Sequence, residues 1–150
     1  MWLIPLSVRY HGLYLSAVKA QAVLLEQAEL FEEMQDICQQ ASALDGLDEG
    51  LHTLIVRSLL RQGRDTAALA QALFRYHRGV TFLSGNTITP LLFNAFMQVN
   101  LEFWSGYIRS VGREESLRTL ARFTDLIAAG QGDRAAQLLD DGLRRFVTTL

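Results

Sequence analysis

The chain has 150 residues, with 14 Lys and Arg against 16 Asp and Glu, for a net charge of −2. So even a balance gives no electrostatic footprint for nucleic acid or for a strongly acidic partner. The single cysteine, Cys38, excludes an intrachain disulfide and reads as a small buried apolar group in a reducing compartment. With 49% hydrophobic and 20% charged residues, the composition is that of an ordinary globular chain. A chain of this length forms one domain by default and buries about 70% of its unfolded-state surface without staples.

The first residues, Met1-Trp2-Leu3-Ile4-Pro5-Leu6, are apolar only briefly before Arg9, His11 and Lys19 intervene. That run is too short for a membrane span and has no basic stretch ahead of it. The protein therefore reads as soluble and cytoplasmic, with no membrane contact.

From about Tyr10 to Leu44, apolar residues recur at Val23/Leu24, Leu30/Phe31, Met34, Ile37/Cys38 and Ala41. Steps of three and four predict one long helix, or two with a bend. Asp45-Gly46-Leu47-Asp48 is a turn with Asp48 as the cap of the next helix. That helix carries Leu51, Leu54, Ile55, Leu59 and Leu60 and stops at Gly63. Asp65 reads as the next cap, before an Ala-rich helix that runs through Leu73, Phe74, His77 and Val80 to Ser84-Gly85-Asn86. With Thr89 as cap and Pro90 in its first turn, a helix from about Pro90 to Tyr107 is apolar on nearly every side, the pattern of an element at the centre of its domain. Ser110-Val111-Gly112 breaks the chain, a helix spans about Glu114 to Ala129, and Gly130-Gln131-Gly132 precedes a last helix that Asp133 caps and that runs to the C-terminus. No strand signal appears. The fold class is all-α: a single domain over 1–150, built as a bundle of about six helices.

No GxSxG, P-loop, HExxH or CxxC pattern is present, so no enzyme activity and no cofactor are expected. His77 has no Asp, Glu or His at three or four residues' distance, because those positions hold Leu73, Phe74, Val80 and Thr81. It reads as a core or pocket-lining histidine rather than a metal ligand. Phe96, Asn100 and Tyr107 share one helical face, and Phe93, Met97, Asn100 and Trp104 form an overlapping stripe. Such a face suits the wall of an apolar pocket with a few polar handles. The same spacing also suits core aromatics around a structural amide. Arg109, Arg113, Arg118 and Arg122 read as a solvated face balanced by Glu114, Glu115 and Asp125.

The stretch Tyr76-His77-Arg78-Gly79-Val80-Thr81-Phe82-Leu83-Ser84-Gly85-Asn86, continued by Thr87-Ile88-Thr89-Pro90-Leu91-Leu92-Phe93-Asn94, resembles a helix corner in the ligand-binding domain of FadR-type members of the GntR transcription regulators. Asp125 to Asp133, followed by Arg134-Ala135-Ala136, resembles the end of the same domain, so the better match covers roughly residues 65–150. The resemblance implies an all-α effector-binding domain that also forms a homodimer, in regulators of fatty acid metabolism among others. It implies a small-molecule effector such as a fatty acyl-CoA or an organic acid. It makes Ser84, Gly85 and Asn86 a structural corner, and with the helical spacing above it leaves His77, Phe96, Asn100, Trp104 and Tyr107 as the expected ligand-binding residues. DNA would be bound only through a separate winged-helix segment, of which this chain shows no signature. Two departures stand out. The metal-binding branch places an Asp where this chain has Leu73, and its later histidines fall near Leu120 and Gly142, so no metal site carries over. Of the acyl-CoA-contacting positions, which fall near Phe96, Asn100, Tyr107 and Leu120, only Tyr107 keeps its residue type. The other reading of the chain is a helical interaction protein that dimerises through its long N-terminal helix without sensing a ligand.

Overall fold

In the computed structural model, which describes residues 3–148, eight α-helices follow one another: α1 Leu3–Gln27, α2 Phe31–Leu44, α3 Glu49–Arg61, α4 Asp65–Leu83, α5 Ile88–Ala95, α6 Met97–Val111, α7 Arg113–Ala128 and α8 Gly132–Val147. There is no strand among the described residues, and none of the helices is long and apolar enough to cross a membrane. The last helix ends at Val147. The apolar pair Met1-Trp2 and the final two residues, toward which that helix was expected to run, lie outside the described residues.

Eight helices replace the expected six because two long segments are interrupted where no glycine or proline signals a break. The first interruption separates α1 from α2. Glu29 takes a left-handed conformation at φ 59°, and the Leu30 amide reaches back to the Leu25 carbonyl at 2.9 Å. This closes α1 as a glycine would, although a side chain costs about 1–2 kcal/mol there. The second falls inside the segment expected to be one central helix. Phe96, at φ −97° and ψ 21°, ends α5 by bonding back to Leu92, and α6 starts at Met97. The outer side of this segment is not central: Leu91, Leu92, Phe96 and Val99 are exposed.

Breaks with a local signal fall where expected. Gly63, Gly85 and Gly130 all have φ near +70°, and the Arg64 amide bonds the Leu59 carbonyl beyond Gly63. Asp48 caps α3, accepting from the Leu51 amide at 3.0 Å. Two other caps shift by one or two residues. Arg64 and Gln131 hold the cap positions of α4 and α8, leaving Asp65 and Asp133 in the first turns, where a carboxylate still faces the positive end of the helix dipole.

The helices fall into two compact units, Met1–Met97 and Gln98–Leu150. In the first, α1 lies on α2 and more lightly on α3, while α3 packs on both α2 and α4. Its apolar core takes Leu15, Val18 and Ala22 from α1, Met34, Cys38 and Ala41 from α2, Leu51, Ile55 and Leu59 from α3, and Ala68 from α4. Each large side chain buried here contributes about 1.5–3 kcal/mol. Directional bonds set the order of the layers. Lys19 on α1 donates to Asp48 at 2.7 Å, Arg57 on α3 to Glu26 at 3.0 Å, and the Gln62 amide after α3 to Gln35 on α2 at 3.1 Å.

The second unit packs α7 and α8 together and places α6 beside α8 through aromatic rings. Phe103 meets Phe146 edge to face at 5.3 Å, and Trp104 meets Tyr107 at 5.8 Å. Gly106 makes room for this, since a Cβ there would stand 3.1 Å from the Phe146 ring.

Candidate effector site

The corner after α4 is built by short polar side chains. Ser84 donates to the Thr81 carbonyl at 2.7 Å and accepts from the Asn86 amide at 3.2 Å. Gly85 supplies the positive φ, and Asn86 accepts from the Ile88 amide at 2.8 Å. Thr87, not Thr89, holds the cap position of α5 and makes no side-chain cap bond, Thr89 and Pro90 fall in the first turn, and Asn86 one residue earlier bonds the first helical amide. The turn sends α5 back along α4, where Phe93 stacks on Phe74 at 5.3 Å and 22°.

This return of α5 helps close a polar cluster that sequence reasoning did not find. Arg78, on α4, is 0% exposed and is the largest fully buried side chain among the described residues. Its guanidinium donates to Glu49 Oε1 at 2.6 Å and to the Gly46 carbonyl, and lies 2.8 Å from His52 Nε2 and 3.5 Å from Asn94 Oδ1. Glu49 gives its other oxygen to Arg75, one turn earlier on α4. The Arg78 guanidinium also lies 5.7 Å from the Phe74 ring centre, within cation–π range. One side chain therefore ties the loop between α2 and α3, the first turns of α3, α4 itself and α5. The signal for it was present. Arg78 falls seven residues after Gln71 and four after Phe74, both buried, so it is in phase with the inner stripe of α4.

The electrostatics of the cluster are uneven. Two guanidinium groups share one carboxylate, and Glu49 is 55% exposed at its side chain whereas Arg78 is sealed. Burial alone would raise the Glu49 carboxyl, but its bonds to Arg75 and Arg78 outweigh that and hold it below the ordinary range. Burial pushes the His52 imidazole down, with the Arg78 charge acting in the same direction, so it stays neutral. Its Nε2 lies 2.8 Å from Arg78 Nη1 and 3.0 Å from the Gly46 carbonyl, and the carbonyl contact works against that depression. His52 Nδ1 and Arg78 Nε are both buried without a hydrogen-bond partner in the protein. Together with Nη2, that Nε forms the edge of the guanidinium that grips a carboxylate with two parallel bonds, and Glu49 fills only the Nη2 half.

The five expected ligand-binding residues divide between the two units. His77 and Phe96 belong to the first. His77 is half-buried on α4, its Nδ1 bonded to the Leu73 carbonyl at 2.8 Å, and burial holds its pKa below the usual value against that bond. Phe96 is 58% exposed at the end of α5. Asn100, Trp104 and Tyr107 belong to the second unit, where Trp104 and Tyr107 are brought together inside the aromatic core and Asn100 is half-buried. No group of three or more His, Cys, Asp or Glu that could hold a metal ion occurs among the described residues.

Comparison with known proteins returns no matching family model, no matching curated protein and no matching solved structure.

Proposed function

We propose that this chain is an effector-sensing and dimerising helical domain of the FadR type, answering to a small, partly apolar carboxylate or acyl thioester. DNA contact, in this reading, belongs to a separate winged-helix segment. The observation that carries the sensing half is the charge imbalance at Arg78. Two guanidinium groups face one half-exposed carboxylate, and the carboxylate-gripping edge of Arg78 is half filled. A ligand carboxylate supplies the missing charge and acceptor, and Glu49 is the movable group it would displace. The stacked Phe74 and Phe93 rings next to the cluster offer an apolar neighbour for the rest of such a ligand. The corner at Ser84-Gly85-Asn86 adds support, because the residues that carry the family resemblance form the turn that the resemblance implies.

Calorimetric titration of the intact protein with organic acids and acyl-CoAs tests the reading. One saturable site is expected for at least one of them, weakened by Arg75→Gln and strengthened by Glu49→Gln, which removes the competing charge. Absence of binding by every member of both classes would contradict it. The second reading, a helical interaction protein that senses nothing, is favoured by a different observation: α1 exposes a long apolar face that nothing in its own unit covers.

A further inference from the structure

Helix α1 carries two apolar stripes, and its fold uses only one. Leu15, Val18, Ala22 and Leu25 turn inward, the first three buried and Leu25 packed against the core. Leu6, Tyr10, Leu13, Ala17, Ala20 and Leu24 are all exposed, with Tyr10 at 66% and Leu24 at 64%. They follow one another by four, three, four, three and four residues. At 3.6 residues per turn this places them within about 80° of one another along roughly 27 Å of helix. This is the spacing of a coiled-coil seam, sustained for nearly three heptads.

The seam is free of charge. The charged residues of α1 are Arg9, Lys19 and Glu26. Lys19 and Glu26 are committed to Asp48 and Arg57 of the same unit, and only Arg9 flanks the seam. A long uncharged apolar strip on a folded surface marks a contact with another body.

We propose that the occupant is a second copy of this chain, with the two α1 helices antiparallel and the two-fold axis at the level of Leu15. This rests on the dimerising half of the reading above and not on the sensing half. The size pattern of the seam selects the arrangement. About an antiparallel axis at that level, Tyr10 faces Ala20, Leu13 faces Ala17 and Leu6 faces Leu24, so large side chains meet small ones through the middle. A parallel pair sets Tyr10 on Tyr10 and Leu13 on Leu13, then leaves gaps at Ala17 and Ala20. It also brings the two Arg9 charges to one level, whereas the antiparallel pair separates them by about 18 Å along the axis. An interface that is complementary to itself in this way is isologous and closes at two copies.

Sedimentation velocity on the full chain at about 10–100 μM, a range in which a dimer of ordinary affinity is populated, reads the first outcome, which is a dimer. Leu13→Glu sets a carboxylate against Ala17 of the other copy and is expected to weaken association at least tenfold with helix content unchanged, since Leu13 is already exposed. Disulfide trapping reads the direction of the helices: a Leu13→Cys protein mixed with an Ala17→Cys protein is expected to cross-link, and Leu13→Cys alone much less. Cys38 stays out of the reaction because it is buried and its thiol is pushed up to about 11. A monomer throughout the range, including one whose α1 seam is shielded by its own chain, overturns the proposal. So does a dimer indifferent to Leu13→Glu, or cross-linking through Leu13→Cys alone. Effector titration of the Leu13→Glu protein reads the sensing half separately, so failure of one is not mistaken for failure of the other.

Discussion

The two ends of the first unit are held by different physics. Under α1, α2 and α3 the interior is Leu, Ile, Val, Met and Ala with Cys38, in which any well-filled arrangement of similar volume would serve. Toward α5 the interior is Arg78, His52 and the Gly46 carbonyl, reached by Glu49 and Asn94, where each bond has a direction and a partner. Apolar packing supplies free energy without prescribing which loop lies where. The Arg78 cluster contributes little net energy for a buried pair, yet it specifies where the α2–α3 loop and α5 sit, because each misplaced acceptor would strand a buried donor.

The contrast is broken most severely by Arg78→Ala. It removes the donor to three elements at once and leaves a cavity, and a loss of about 4 kcal/mol in unfolding free energy is expected by chemical denaturation. Leu51→Ala, at a fully buried position in the apolar end, is expected to cost about 3 kcal/mol, because neighbouring aliphatic side chains relax partly into the space. If the two swapped rank widely, the polar cluster would be an accessory rather than an organiser.

A smaller effect separates the two ends by pH. The folded-state pKa of His52 lies below the unfolded value, so below about pH 6.5 the unfolded chain binds the extra proton and stability falls as the solution becomes more acidic. His77 acts in the same direction. The depressed carboxyls of Glu49 and Asp48 stabilise the fold above about pH 4, and that contribution is lost as pH drops through their lowered folded-state values. Melting temperature is therefore expected to be flat above pH 7, to decline as pH falls below about 6.5, and to fall further below about 4. His52→Gln flattens the middle limb. An unchanged middle limb in that variant would place the titration elsewhere.

What the sequence made legible follows the same division. The all-helical class, the stops at Gly63, Gly85 and Gly130, and the Asp48 cap were readable because each rests on local chemistry that one residue announces. A bend in the first segment was foreseen, but its place at Glu29 and the break at Phe96 were not, because neither residue type favours a helix end. Arg78 was hidden for a related reason: an arginine is solvated by default, and only its phase relative to Phe74 and Gln71 says otherwise. Trp104 and Tyr107 were read on overlapping stripes of one helix, but periodicity cannot say whether a face closes on rings or opens on a cavity. Here the two rings pack against each other and, at Tyr107, against Phe146.

The measurement closest to the central claim is hydrogen exchange on Arg78→Met, which keeps much of the volume and removes every directional bond. The account expects a smaller loss of global stability than in Arg78→Ala, because Met fills much of the space and Glu49, half-exposed, keeps its bond to Arg75. Amides from Asp45 to Gly50 and in α5 should lose protection selectively, while those of α1 and the body of α2 keep theirs. Uniform loss across the unit, or full protection retained in the loop and α5, would contradict the claim that Arg78 places these elements.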